Sequence, residues 1–103
     1  MKTSELQGAA LDWAVAKCEG FEPFGDGNLV YYSTFWTLGG PIIEREEIFL
    51  AKSILGGWTG SIYTQDERVR CTLHEGPTPL IAAMRCYVAS KLGEEVNIPE
   101  ELK

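Results

Sequence analysis

No apolar run in this chain approaches the ~20 residues that a helix needs to span a bilayer, so no membrane helix and no membrane partner is expected. Basic residues are few. Nine Lys and Arg stand against fifteen Asp and Glu, a net charge of −6. A duplex-DNA binder needs a basic face to displace counterions, and this composition offers none. Histidine occurs once, as His74, with no serine or cysteine nucleophile motif beside it, which argues against an enzyme. The three cysteines, Cys18, Cys71 and Cys86, are odd in number and none is in C-x-x-C spacing. That argues against a disulfide scaffold and fits a reducing compartment. Cys71 and His74 lie three apart, but no second ligand pair follows, so neither zinc nor another cofactor is expected. The segment Met1-Lys2-Thr3-Ser4-Glu5 lacks the basic-then-apolar layout of a secretory signal, and the expected location is the cytosol.

What remains is an ordinary globular composition. With 103 residues, 45% apolar and 23% charged, the chain suits a single domain over 1–103 with one modest core. Its last third is the most legible part. Thr78 suits a helix N-cap, Pro79 the first helical position, and Gly93 a left-handed end. Leu80, Ile81, Met84, Tyr87, Val88 and Leu92 form a stripe along that helix. Near the N-terminus, Ser4-Glu5-Leu6-Gln7 reads as a capping box. Leu6, Ala10, Leu11, Ala14, Val15 and Cys18 then recur at helical spacing, and Gly20 can end this first helix. The stretch from Phe21 to Asn28 reads as a turn-rich loop, and Leu29 to Trp36 as a strand at its start. Gly39-Gly40-Pro41 and Gly56-Gly57 read as breaks. Between them lie a helical turn around Ile42–Glu47 and a strand after it. Trp58–Tyr63 and Val69–Leu73 read as further strands joined by a turn at Asp66-Glu67-Arg68. The expected fold class is α+β: two main helices, N- and C-terminal, packed on a short antiparallel sheet of about three strands.

Several of these segments carry a family resemblance. Gly8-Ala9-Ala10-Leu11-Asp12-Trp13-Ala14-Val15-Ala16-Lys17, Tyr32-Ser33-Thr34-Phe35-Trp36, Gly39-Gly40-Pro41-Ile42-Ile43-Glu44-Arg45-Glu46, Trp58-Thr59, Gly76-Pro77-Thr78 and the helix from Pro79 to Gly93 together resemble the NinX-like proteins of tailed phages and prophages. The resemblance implies a phage accessory protein acting in the bacterial cytosol, and it carries no catalytic residue that could be transferred.

The candidate ligand-binding residues are Tyr32, Trp36, Gly39, Gly40, Arg45, Trp58, Thr78 and Arg85. Glycines at 39 and 40 let a ligand approach the backbone without Cβ interference. Thr78 opens a helix whose first N–H groups and dipole favour an anion. Trp36 follows a polar pair and can stack a base, with Tyr32 and Trp58 as an opposite wall. Arg45, set among acids, is either a surface ion pair or a fork for phosphate. Arg85 lies off the apolar stripe on a face with Ala82 and Ala89, where small residues permit a close approach. Three readings follow. The first is a phage protein that counters host defence by sequestering a nucleotide-derived immune signal without catalysis. The second is an acidic inhibitor or adaptor that covers a basic site on a host nuclease or repair or defence protein. The third is a small hydrolase or transferase using Glu44 or His74. Phe21, Phe24, Tyr31, Phe35 and Phe49 exceed what one small core can hold, so a homo-oligomer is expected. Its pocket is expected at or near the subunit boundary, near Trp36–Arg45 and Thr78.

Overall fold

The computed structural model describes residues 1–21, 30–65 and 69–103, the side chains at 64, 65, 69 and 70 excepted. The turn-rich loop centred on Pro23-Phe24-Gly25, the residue Leu29 and the turn at Asp66-Glu67-Arg68 lie outside the described residues. The elements run in the order of a 3-10 turn at Thr3–Glu5, α1 (Gly8–Cys18), α2 (Trp36–Glu46), β1 (Phe49–Lys52), β2 (Trp58–Gln65), β3 (Val69–Gly76), α3 (Pro79–Leu92) and a closing 3-10 turn at Glu100–Leu102. The strands form one antiparallel sheet in the order β1-β2-β3, with Phe49 opposite Ser61 and Ser61 opposite Leu73. The fold is α+β, as the sequence implies.

α3 is the middle layer. It packs on the sheet with one side and on α1 and α2 with the other. That position explains its composition. Leu80, Met84, Tyr87 and Val88 are buried, and so are Ala82, Ala83, Cys86 and Ala89 on the remaining faces. A helix covered on two sides is apolar nearly all round. The small face that spacing set aside for a close approach is filled by the sheet itself. Leu92, which spacing puts on the core stripe, is exposed at the helix end. The start is the one the sequence encodes: Thr78 Oγ1 accepts from the Ile81 N–H at 3.1 Å and Pro79 takes the first position. Gly93 ends the helix with a positive φ of 88°, but its ψ of −169° is extended, not the left-handed helical conformation expected.

The middle of the chain departs from the sequence reading. Tyr31 to Thr34 is a turn, not a strand, with Phe35 N–H donating to the Tyr31 carbonyl. Gly39-Gly40-Pro41 is no break; it lies inside α2. A proline in a helix interior costs about 3 kcal/mol, which tertiary contact must offset. Ile42 supplies part of it from the core. Gly39 supplies more, because the helix presses so closely on α3 that a Cβ there would stand 2.6 Å from both Leu80 Cδ1 and the Tyr32 carbonyl.

The capping box is not formed. Ser4 belongs to the 3-10 turn, and the α1 N-cap is Gln7, without a side-chain cap bond. Thr3 is wholly buried instead, its N–H donating to the Glu94 carbonyl and its hydroxyl to that of Gly93. Val96 and Ile98 fold back into the core, as their positions before Pro99 suggest. The α1 end is of the Schellman type: Gly20 at φ 87° donates to Lys17 and Phe21 donates to Ala16.

Candidate functional site

Two of the eight candidate residues meet in one cleft. Ser33 and Thr34 in the turn before α2, Trp36 at its first position, and Thr78, Pro79, Leu80 and Ile81 at the start of α3 line a space of about 350 Å³. Both helices begin there, and neither has an acid in its first turn. The first N–H groups of a helix lack intrahelical acceptors, and each N-terminus carries about half a positive charge. Leu38 and Gly39 donate to the Phe35 carbonyl, and Phe35 has no side-chain cap bond; helical geometry therefore turns the earlier N–H groups of α2 outward. Thr34 and Thr78 line it as exposed residues, the Thr78 hydroxyl serving as the α3 cap. The Trp36 indole is 53% exposed, a flat apolar face at the mouth. Among the described residues no lysine or arginine lines this cleft.

The wall behind it is held rigidly. Ser33 N–H donates to Asp12 Oδ1 at 2.8 Å, tying the turn to α1. Asp12 is 1% exposed, and burial pushes its carboxyl above the ordinary value against the lowering effect of the Ser33 bonds. Tyr32 is buried in the core, where burial raises its phenol, reinforced by Glu19 and Asp12. It supports the cleft from behind instead of walling it. Gly39 serves the packing of α2 on α3, while a Cβ on Gly40 would meet nothing within 4 Å. Asp12 is the residue that sequence reading missed; an aspartate inside the apolar pattern of α1 was its only signal.

The other candidates lie elsewhere. Arg45 is nine residues along α2 from Trp36, about 14 Å away on the helix axis. Its guanidinium grips Glu19 at 3.1 and 2.6 Å, donates to Glu46 at 2.9 Å and to the Tyr87 hydroxyl at 3.1 Å, and lies over the Tyr87 ring. Tyr87 in turn donates to Glu19. Hydrogen bonding to Arg45 holds the Glu19 carboxyl below its usual value, and hydrogen bonding to Glu19 holds Arg45 above its own. Burial first, then Glu19, pushes the Tyr87 phenol up. This network staples the C-terminal ends of α1 and α2 to α3.

Trp58 is half-buried on β2, opposite Lys52 and Gly76. Arg85 donates to the Leu6 carbonyl at 2.7 Å and to the Glu75 carbonyl at 2.9 Å. Burial pulls its guanidinium down from its ordinary value. It borders a second cleft of about 480 Å³ with Ser4, His74, Glu75 and Pro77. His74 is buried there with Nε2 2.7 Å from Glu94 Oε1. No helix among the described residues is long and apolar enough to cross a membrane.

Comparison with known proteins adds one finding. A family model described as Bacteriophage P22, NinX matches residues 2–91. No curated protein matches the chain.

Proposed function

The chain belongs to the NinX family of bacteriophage P22, and on that premise we propose that it is a phage accessory protein that counters host defence by binding a nucleotide-derived signalling molecule and holding it without turnover. The observation that carries the reading is the meeting of Trp36 with the Thr78 cap in one cleft. The indole offers a stacking face for a base. Both helix N-termini offer partial positive charge, and α2 offers its first N–H groups for a phosphate, with the Leu80 N–H beside them because Pro79 has none and Ile81 is capped by Thr78. Because the chain bears a net charge of −6, this local field is what lets an anion approach. Sequestration needs only affinity and copy number. The reading places the protein in the bacterial cytosol, as a homo-oligomer.

Isothermal titration calorimetry against cyclic nucleotides and ADP-ribose derivatives tests it. The expected result is saturable binding, weakened about tenfold by Trp36→Ala, with the ligand recovered chemically intact. Silence across that panel overturns the proposal, and an altered ligand overturns its non-catalytic part. The second reading, an acidic cover for a basic host protein, draws on the exposed acids Glu94, Glu95, Glu100 and Glu101 near one end of the chain. A stoichiometric, salt-sensitive protein partner retained by Trp36→Ala would favour it.

A further inference from the structure

α3 covers one face of the sheet and leaves the other bare. The register fixes which residues face outward. Gly60 and Gly76 point into α3, so their neighbours Ser61, Thr59 and Glu75 point away from it, together with Phe49, Tyr63, Cys71 and Leu73. Phe49 is 63% exposed, Leu73 56% and Tyr63 52%. Phe49 and Tyr63 pack edge to face, with ring centroids 5.5 Å apart. An antiparallel sheet with one solvated face normally alternates apolar inside with polar outside; this one carries large apolar side chains on its outer face as well.

Among the described residues the face is also uncharged in its centre. Glu75 stands at one end, where its carboxylate accepts from the Ser53 hydroxyl at 3.1 Å. In a chain with fifteen acids, a face whose described residues carry one charge, at its end, is the place where a like-charged second copy can come closest. A basic partner or a nucleic acid would gain nothing there. The relief fits the same occupant. Phe49 on β1 and Leu73 on β3 flank the small Ser61 on β2, two ridges beside a trough. A ridge of one copy fills the trough of the other in a two-fold arrangement. The face measures at most roughly 14 by 25 Å, so two copies bury roughly 700 Å² in all, below the standard interface size and in keeping with a weak, reversible contact.

We infer that the outer face of the β1-β2-β3 sheet is the contact between two copies of this chain, through Phe49, Tyr63 and Leu73. The cleft at Trp36 lies on the helix-bearing side, so this contact leaves it open and moves the subunit boundary away from it. The inference stands apart from the ligand reading, and its test uses no ligand.

Sedimentation velocity from about 10 to about 300 µM is the primary measurement. The expected result is a reversible monomer–dimer equilibrium that tightens between about 50 and about 500 mM NaCl, since salt screens the repulsion between acidic copies. Leu73→Glu is expected to weaken it roughly a hundredfold by burying an unpaired charge. Phe35→Glu, an exposed aromatic on the helix-bearing side, is expected to leave it unchanged. A monomer throughout that range overturns the inference. So does a dimer that survives Leu73→Glu or is lost in Phe35→Glu. A second measurement needs no variant. Cys71 is exposed on the same face, whereas burial raises the Cys18 and Cys86 thiols to about 11 and about 12. Its alkylation by a maleimide is expected to slow as the protein concentration rises; a rate independent of concentration also overturns the inference.

Discussion

A Cβ on Gly60 would stand 2.9 Å from the carbonyl oxygen of Ala82, so β2 and α3 meet backbone to backbone at this point. Gly76 repeats the relation one strand over, where a Cβ would lie 2.7 Å from the Ala82 nitrogen. Neither obstacle is a flexible side chain. Gly60→Ala is therefore expected to cost about 1–3 kcal/mol by overpacking. Gly40→Ala is the internal control. It sits in α2 with nothing beyond its chain neighbours within 4 Å of the added methyl; the gain in helix propensity is opposed by the crowding of a Cβ against the following Pro41 ring, so its stability is expected to stay within about 1 kcal/mol of the parent. The urea midpoint of Gly60→Ala should fall below that of Gly40→Ala, and a Gly60→Ala variant as stable as the parent contradicts the close contact.

Glu47 is the one described non-glycine residue with positive φ, at 53°. It ends α2 in the same way that Gly20 ends α1: Glu47 N–H donates to Glu44 and Ile48 N–H to Ile43. An L side chain in the left-handed region costs roughly 1 kcal/mol that glycine avoids. Glu47 is exposed, so no packing is lost on replacement. Glu47→Gly is expected to stabilise the protein by about 0.5–1 kcal/mol. Unfolding in urea gives the measurement; a destabilised Glu47→Gly would mean that the carboxylate contributes something the geometry does not contain.

The start of the last helix was legible because its signals are local. Thr78 and Pro79 act within one helical turn of themselves, and they act as written. The α2 region was not, because what decides it is distant. Gly39-Gly40-Pro41 has the composition of a break, and only the approach of Leu80, far along the chain, makes a glycine at 39 an asset to a helix. The same limit applies to the candidate site. Trp36 and Thr78 share a cleft because α2 and α3 begin side by side. Arg45 was set with them by nearness in sequence, but a helix carries it about 14 Å off, into the reach of Glu19. The exposure of Phe21, Tyr31, Phe35 and Phe49 was readable by counting, since one small core has limited room. Leu73 and Tyr63 were not flagged, because their exposure depends on which face of the sheet α3 covers.

The Glu19–Arg45 pair gives a pH dependence with a definite sign. Glu19 has a folded-state value below its ordinary 4.5, first through hydrogen bonding to Arg45. A depressed carboxylate contributes stability that is present above its unfolded value and is lost as pH falls through the folded one. The parent is therefore expected to lose stability below about pH 4.5 more steeply than Arg45→Ala. At neutral pH the substitution is expected to cost about 1 kcal/mol, since the guanidinium is half exposed and its pairing is screened. Denaturation midpoints of both proteins across the acid range check this. Parallel curves would remove Arg45 as the cause.

Asp12 produces the opposite slope. Burial raises its folded-state value above the ordinary 3.8 and outweighs the two Ser33 bonds that lower it. A raised carboxylate destabilises the fold as pH rises from the unfolded value through the folded one, because the native state holds the proton more tightly. Asp12→Asn keeps an acceptor for the Ser33 N–H and removes the ionisation. Its stability relative to the parent is expected to improve as pH rises from the ordinary value of 3.8 through the raised folded-state value, and then to level off. Asp12→Ala removes the acceptor as well. It leaves the Ser33 N–H buried without its partner and is expected to cost about 1–3 kcal/mol. Because Ser33 lines the cleft, Asp12→Ala should also loosen that wall. Hydrogen exchange at the Ser33 amide is expected to quicken in Asp12→Ala and to stay slow in Asp12→Asn. Equal protection in both variants would show that the turn, and not the carboxylate, holds the cleft in place.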